Sequence, residues 1–176
     1  MIKKLFFAGS GGQGILMMGQ IITYSSMKED LHVTYLPSYG PEMRGGTANC
    51  TVVVSDKPVA SPTIYEADVV VVMNLPSLIK FESLVKPGGK LFINTDLVDR
   101  KATRTDIDVY YVPCMSVADQ IGNPKGGNMV MLGAILGNEK IVDRASVEYI
   151  METKAFTGKK AKFLDINKKA LDQYWK

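Results

Sequence analysis

Three glycines carry the first chemical signal in the chain. Gly9, Gly11 and Gly14 satisfy the spacing G-x-G-x-x-G directly after the apolar run from Ile2 to Ala8, and Ile15, Met18, Gly19 and Ile22 then recur at helical intervals. A strand ending in such a turn and opening a helix lets the backbone approach a ligand closely. The free N–H groups of the first helical turn then offer partial positive charge to a phosphate or carboxylate. A dinucleotide site of this kind also needs an acid at the end of the second strand, to bind the ribose hydroxyls. The second predicted strand reads His32-Val-Thr-Tyr-Leu36 and has no acid there, while Glu29 and Asp30 precede it. Three uses of Gly9, Gly11, Gly12, Gln13 and Gly14 stay open on sequence: a nicotinamide or flavin nucleotide, another anionic ligand or interface contact, or a tight turn without a ligand.

The second signal is a ten-residue loop predicted from Pro37 to Gly46, rich in Pro and Gly and carrying Tyr39, Glu42 and Arg44. In a sheet of parallel strands, this loop and the glycine turn fall at the same carboxyl edge. Arg44 is a planar, permanently charged donor suited to phosphate or carboxylate, and equally to an ion pair with Glu42 or to a subunit contact. Tyr39 fits packing as well as binding. Glu42 fits a hydrogen bond that orders the loop better than it fits a general base. Asn128, before the apolar run Met129 to Leu136, reads as a helix cap. His32, inside a predicted strand, reads as a satisfied structural residue.

Cys50 and Cys114 are the only cysteines and have no metal-ligand spacing, so an iron–sulfur cluster needing four thiolates must belong to another chain. Two reduced, core-facing thiols are expected in preference to a disulfide. The ten methionines read as gap-fillers in helix packing.

The elements that must hold these residues follow from periodicity. Strands are predicted at Ile2 to Ala8, His32 to Leu36, Thr47 to Ser55, Ala67 to Asn74, Lys90 to Asn94 and Val109 to Pro113. Within the predicted strand Ala67 to Asn74, the run Val69 to Met73 is apolar and mostly β-branched, as a strand covered on both faces requires. Helices are predicted after the glycine turn, packed on both sides, and at Pro76 to Val85, Met115 to Ile121, Asn128 to Leu136, Ser146 to Lys154 and Lys160 to Trp175. This alternation defines an α/β sandwich with a mainly parallel sheet. With 176 residues, 46% of them hydrophobic, the chain is expected to form one domain over residues 1–176. The net charge of +3 is too small for a nucleic-acid footprint, but seven lysines against three acids gather from Met151 to Lys176. That segment suits a solvated helix face or a docking surface for an acidic partner. The basic, apolar start breaks into glycines after Ala8, which argues against a signal peptide, and no run reaches membrane-spanning length. A cytoplasmic protein is expected.

Three separated signatures resemble the gamma subunit, or gamma domain, of the pyruvate, 2-oxoglutarate and 2-oxoisovalerate:ferredoxin oxidoreductases. They are Gly9-Ser-Gly-Gly-Gln-Gly14, then Ser38-Tyr-Gly-Pro-Glu-Met-Arg-Gly-Gly-Thr-Ala-Asn-Cys50 with Ser55-Asp-Lys-Pro-Val-Ala-Ser-Pro62 after the next strand, and Asn128-Met-Val-Met-Leu-Gly-Ala134. Asn167-Lys-Lys-Ala170 is similar to the family's closing helix. The resemblance implies a Rossmann-like three-layer sandwich with helices on both faces of the sheet. It also implies a place in an enzyme that decarboxylates a 2-oxoacid and delivers the acyl group to coenzyme A while reducing ferredoxin. Thiamine diphosphate, Mg and the iron–sulfur clusters would sit on partners: thiamine-diphosphate alpha and beta subunits and a ferredoxin-like delta subunit. The residues assigned to ligand or interface binding are the glycine turn, Tyr39, Glu42, Arg44, Gly45, Gly46 and Asn128, and coenzyme A is the ligand that the resemblance associates with such an interface. Alone, the chain would be inactive and prone to form a homodimer. The competing readings are a free-standing NAD(P)- or FAD-binding reductase and a non-catalytic assembly protein.

Overall fold

The computed structural model describes residues 1–39 and 47–176, Tyr39 by its backbone alone. A six-stranded sheet forms its centre: β1 (Ile2–Ser10), β2 (His32–Tyr39), β3 (Thr47–Ser55), β4 (Ala67–Val72), β5 (Val85–Asn94) and β6 (Asp108–Val112), in the order β2-β3-β1-β4-β5-β6. β1, β4, β5 and β6 pair in parallel, as expected. β3 runs antiparallel to both of its neighbours, with Phe7 opposite Cys50 on one side and Pro37 opposite Cys50 on the other. β3 therefore fills the gap between the edge strand β2 and β1.

Pro37 and Ser38 continue β2 to Tyr39, where the sequence predicts the loop to have begun. β2 is an edge strand, so the missing N–H of Pro37 leaves no partner on an outer strand unsatisfied. His32 is its first residue and is exposed.

β4 explains the centre of the sheet. Val69 and Val71 point to one face with Leu5, Phe7 and Phe92, while Val70 and Val72 point to the other with Phe6, Ala8, Leu91 and Ile93. Strands buried on both faces require two covering layers. α1 (Ile15–Lys28), α3 (Cys114–Gln120), α4 (Gly127–Asn138), α5 (Arg144–Ile150) and α6 (Leu164–Leu171) cover the first face, and α2 (Leu75–Phe81) with the segment 95–107 packs on the second.

Several helix limits differ from the periodicity. The predicted helix through Lys154 is α5 followed by a widened turn at Met151–Ala155, and the predicted final helix is a 3₁₀ stretch at Gly158–Phe163 leading into the short α6. α1 packs against the sheet and beside α5, while Gln20, Tyr24, Met27 and Lys28 stay exposed. The chain after β1 enters α1 on the first face, and the chain after β4 enters α2 on the second. β1 and β4 are neighbours, so a topological switch point lies between their carboxyl ends.

Candidate functional site

The glycine turn stands over that switch point, and Gln13 spans it. The Ser10 N–H donates to Gln13 Oε1 at 2.7 Å, closing the turn on itself, and Gln13 Nε2 donates to the Met73 carbonyl at the end of β4, at 3.2 Å. Asn94, at the end of β5, donates to the same carbonyl at 3.1 Å. Two side-chain amides thus tie β1, β4 and β5 together where a parallel sheet leaves its last carbonyls unpaired.

Two of the glycines are sterically required. Gly14 caps α1 with φ 74°, in the left-handed region, and a Cβ there would fall 2.2 Å from Asn128 Nδ2. A Cβ on Gly9 would lie 2.5 Å from Gln13 Oε1 and 2.8 Å from Ile15 Cδ1, so this position must be bare for the turn to fold over the strand end. Gly11 and Gly12 are exposed and form the turn's outer lip.

Asn128 does not cap α4, whose N-cap is Gly126 and has no side-chain cap. It is the second residue of the helix, buried against Gly14, with Nδ2 3.6 Å from Met17 Sδ. A matching amide–thioether contact occurs on the other side of the turn, where Asn94 Nδ2 lies 3.5 Å from Met115 Sδ. Asp96 completes the cluster: Oδ2 accepts from the N–H groups of Met115 and Ser116 at 2.8 and 2.9 Å, and Oδ1 accepts from the Ser116 hydroxyl. Asp96 therefore supplies the negative charge that the amino end of α3 favours.

The structure thus brings Gly9, Gly11, Gly12, Gln13, Gly14 and Asn128 into one cluster, and Tyr39 ends β2 at the same edge of the sheet. Glu42, Arg44, Gly45 and Gly46 lie outside the described residues. Asn94, Asp96, Met17 and Met115 were not anticipated from sequence. Asn94 left a signal, since a lone amide closing the apolar strand Leu91-Phe92-Ile93 requires a partner.

No exposed thiol joins this cluster among the described residues. Cys50 and Cys114 are fully buried, and burial pushes each thiol up to about 12, with Asp96 adding to the effect at Cys114. Neutral thiols facing different parts of the core do not fit an iron–sulfur cluster. Among the described residues no three His, Cys, Asp or Glu side chains gather as metal ligands. The described arrangement offers exposed backbone on a glycine lip, an uncapped helix start and neutral amides. It suits the binding and orientation of a polar or anionic group better than proton transfer.

A mixed α/β sheet with a glycine turn braced over its switch point defines the class of protein. The pyruvate ferredoxin/flavodoxin oxidoreductase family model matches residues 4–174, and the chain belongs to that family. It is 36% identical over 171 residues to the ketoisovalerate oxidoreductase subunit VorA of Methanothermobacter marburgensis, a match covering 96% of this chain but 35% of VorA. The 2-oxoglutarate synthase subunit KorC of Methanocaldococcus jannaschii is 33% identical over 151 residues, covering 84% of this chain and 81% of KorC. The fold also recurs in the 2-oxoglutarate:ferredoxin oxidoreductase of Magnetococcus marinus, solved with 2-oxoglutarate, coenzyme A and succinyl-CoA bound. There the TM-score is 0.83 at 23% identity, covering 98% of this chain and 30% of that one. Among the described residues no helix is long and apolar enough to cross a membrane.

Proposed function

We propose that this chain works as the gamma subunit of a multi-subunit 2-oxoacid:ferredoxin oxidoreductase, at the mouth of an active site built on partner subunits. The observation that carries the proposal is the family match across residues 4–174, together with KorC matched over most of its own length. Thiamine diphosphate with Mg and the iron–sulfur clusters, held by alpha, beta and ferredoxin-like delta subunits, would supply decarboxylation and electron transfer. The part of this chain is to orient and admit coenzyme A, whose phosphates suit the Gly11–Gly12 lip, the start of α1 and the Arg44 guanidinium. Gln13 and Asn94 keep that lip in place. The Magnetococcus marinus enzyme, solved with coenzyme A bound, supports this reading by analogy of fold.

Arg44→Ala in the assembled enzyme provides the test. Removing a charged donor from a phosphate or carboxylate costs roughly 1.5–3 kcal/mol, or about ten- to a hundredfold in the affected constant. The expected result is a KM for coenzyme A raised by that factor, or assembly weakened by it. The isolated chain should melt within about 0.5 kcal/mol of wild type. A variant that melts much earlier, yet assembles into an enzyme with normal kinetics, would make Arg44 a fold residue and remove coenzyme A from this edge.

A further inference from the structure

The outward face of α1 is not bare. It lies beside α5 and the turns that follow, and between them is a depression of about 130 Å³ lined by Met17, Gln20, Tyr24, Ile150, Lys154 and Lys160. Lys154 Nζ stands 4.8 Å from the centroid of the Tyr24 ring, and Lys28 Nζ stands 4.7 Å from that of Tyr149. Tyr24, Met27 and Tyr149 are all exposed. Each lysine therefore sets its ammonium over the face of an exposed aromatic ring as a cation–π pair.

The lysines of this face lack compensating acids. Two of the three acids after Met151 are already engaged, Glu152 by Lys168 and Asp172 by Arg144. Glu148 pairs with Arg144 as well. Among the described residues no salt bridge engages Lys28, Lys154, Lys159 or Lys160. A surface of exposed aromatics and cations that no acid neutralises combines apolar anchors with charge, as protein interfaces do.

We infer that this face docks an acidic surface of another subunit of the same complex. The inference rests on the subunit role proposed above and adds a second contact region, along α1 and α5, to the glycine edge. Charge complementarity fixes the sign of the partner. Its being a protein follows from the exposed aromatic area, and from VorA, in which the matched region is 35% of a longer chain and so is carried with a larger protein body. Lysines at the rim would steer association and make it sensitive to salt.

The test uses the complex purified through a tag on the full-length chain. Treatment with a carbodiimide, which joins an ammonium to a carboxylate as an amide, should cross-link Lys154 or Lys160 to an Asp or Glu of another subunit. Lys154→Glu/Lys160→Glu should raise the dissociation constant about tenfold or more at ~0.1 M salt, with a smaller effect at ~0.5 M. Lys154→Arg/Lys160→Arg should restore wild-type affinity, and both variants should melt as wild type does. Cross-links confined to this chain, or full assembly of the Glu variant, would overturn the inference while leaving the subunit role intact. Protection of these lysines from acetylation in the isolated chain by ADP or by single-stranded RNA would overturn it in favour of a small polyanion or nucleic acid. If the wild-type chain purifies with no other subunit, the subunit role falls and this inference falls with it.

Discussion

The two edges of the sheet are held together by different forces. At the amino edge, Glu139 follows α4 and receives the ammonium groups of Lys3 at 2.5 Å and Lys90 at 2.7 Å, and Lys90 also donates to the Asn138 carbonyl at the helix end. Asp68, at the start of β4, accepts from the Lys4 N–H and pairs with Lys86. At the carboxyl edge the bracing side chains are Gln13, Asn94 and Asn128, all neutral, and among the described residues of that cluster only Asp96 is charged. Ion pairs suit an edge that has only to close. An edge proposed to accept an anionic group gains from being held by amides, which neither repel that group nor compete for it.

The largest expected effect lies on the neutral side. Gln13→Ala removes the acceptor of the Ser10 N–H and one of two donors to the Met73 carbonyl, a loss of about 2 kcal/mol. For a chain of this size the melting temperature should fall by roughly 4–8 °C. An amide does not titrate, so calorimetry should return the same loss at about pH 5 and pH 8, in low salt and in high. A loss that varied strongly with pH would mean that a charged group shares the work of Gln13, and the contrast between the edges would fail.

Glu139→Gln should be milder and should depend on conditions. Burial alone would raise the Glu139 carboxyl, but its hydrogen bonds to Lys3 and Lys90 outweigh burial and hold it below the usual carboxylate range. A folded-state value that is depressed contributes stability above the unfolded carboxylate range, and that contribution is lost as pH falls through the folded value. The wild-type advantage should be about 1 kcal/mol near neutrality, since these pairs are only partly buried, and should shrink in acid and at ~1 M salt. An advantage that persisted in acid would assign Glu139 a packing role.

The contrast also marks where sequence stops being informative. The strands were legible because Val69 to Val72 and Leu91 to Ile93 leave no polar face, and the glycine turn was legible because its spacing is local. The antiparallel insertion of β3 was not. Pro37 looks like the end of a strand until the strand is known to be at an edge, and that is a property of the whole sheet. Asn128 before an apolar run looks like a cap. Its displacement into the helix depends on Gly14, more than a hundred residues away in the chain, whose missing side chain leaves it room. The Gln13–Met73 bond joins residues 60 apart, and neither type nor spacing announces it. Loop limits and long-range amide partners are settled by packing, which periodicity does not encode.

The smallest expected effect sharpens the comparison through the two thiols, both of which lie toward the carboxyl half of the molecule. Cys50 faces α1, with Sγ 3.8 Å from the Ile15 carbonyl, and Cys114 begins α3 beside Met115, the sulfur partner of Asn94. With each thiol pushed up to about 12, the thiolate fraction at about pH 8 is on the order of one in ten thousand, roughly a thousandfold below that of an ordinary thiol at 9.0. Neither sulfur is exposed. Iodoacetamide should therefore leave the native chain unmodified over about an hour, while the denatured chain takes up one label at each cysteine. What slow labelling remains reports opening, because a buried thiol reacts only while its cover is displaced. If the amide row holds the carboxyl edge as firmly as the ion pairs hold the other, Cys50 and Cys114 should label at one common rate set by global unfolding, and Gln13→Ala should speed both equally. Selective labelling of Cys114 in the native chain would instead mean that α3 lifts away from Asn94 on its own. The neutral edge would then be the weaker of the two.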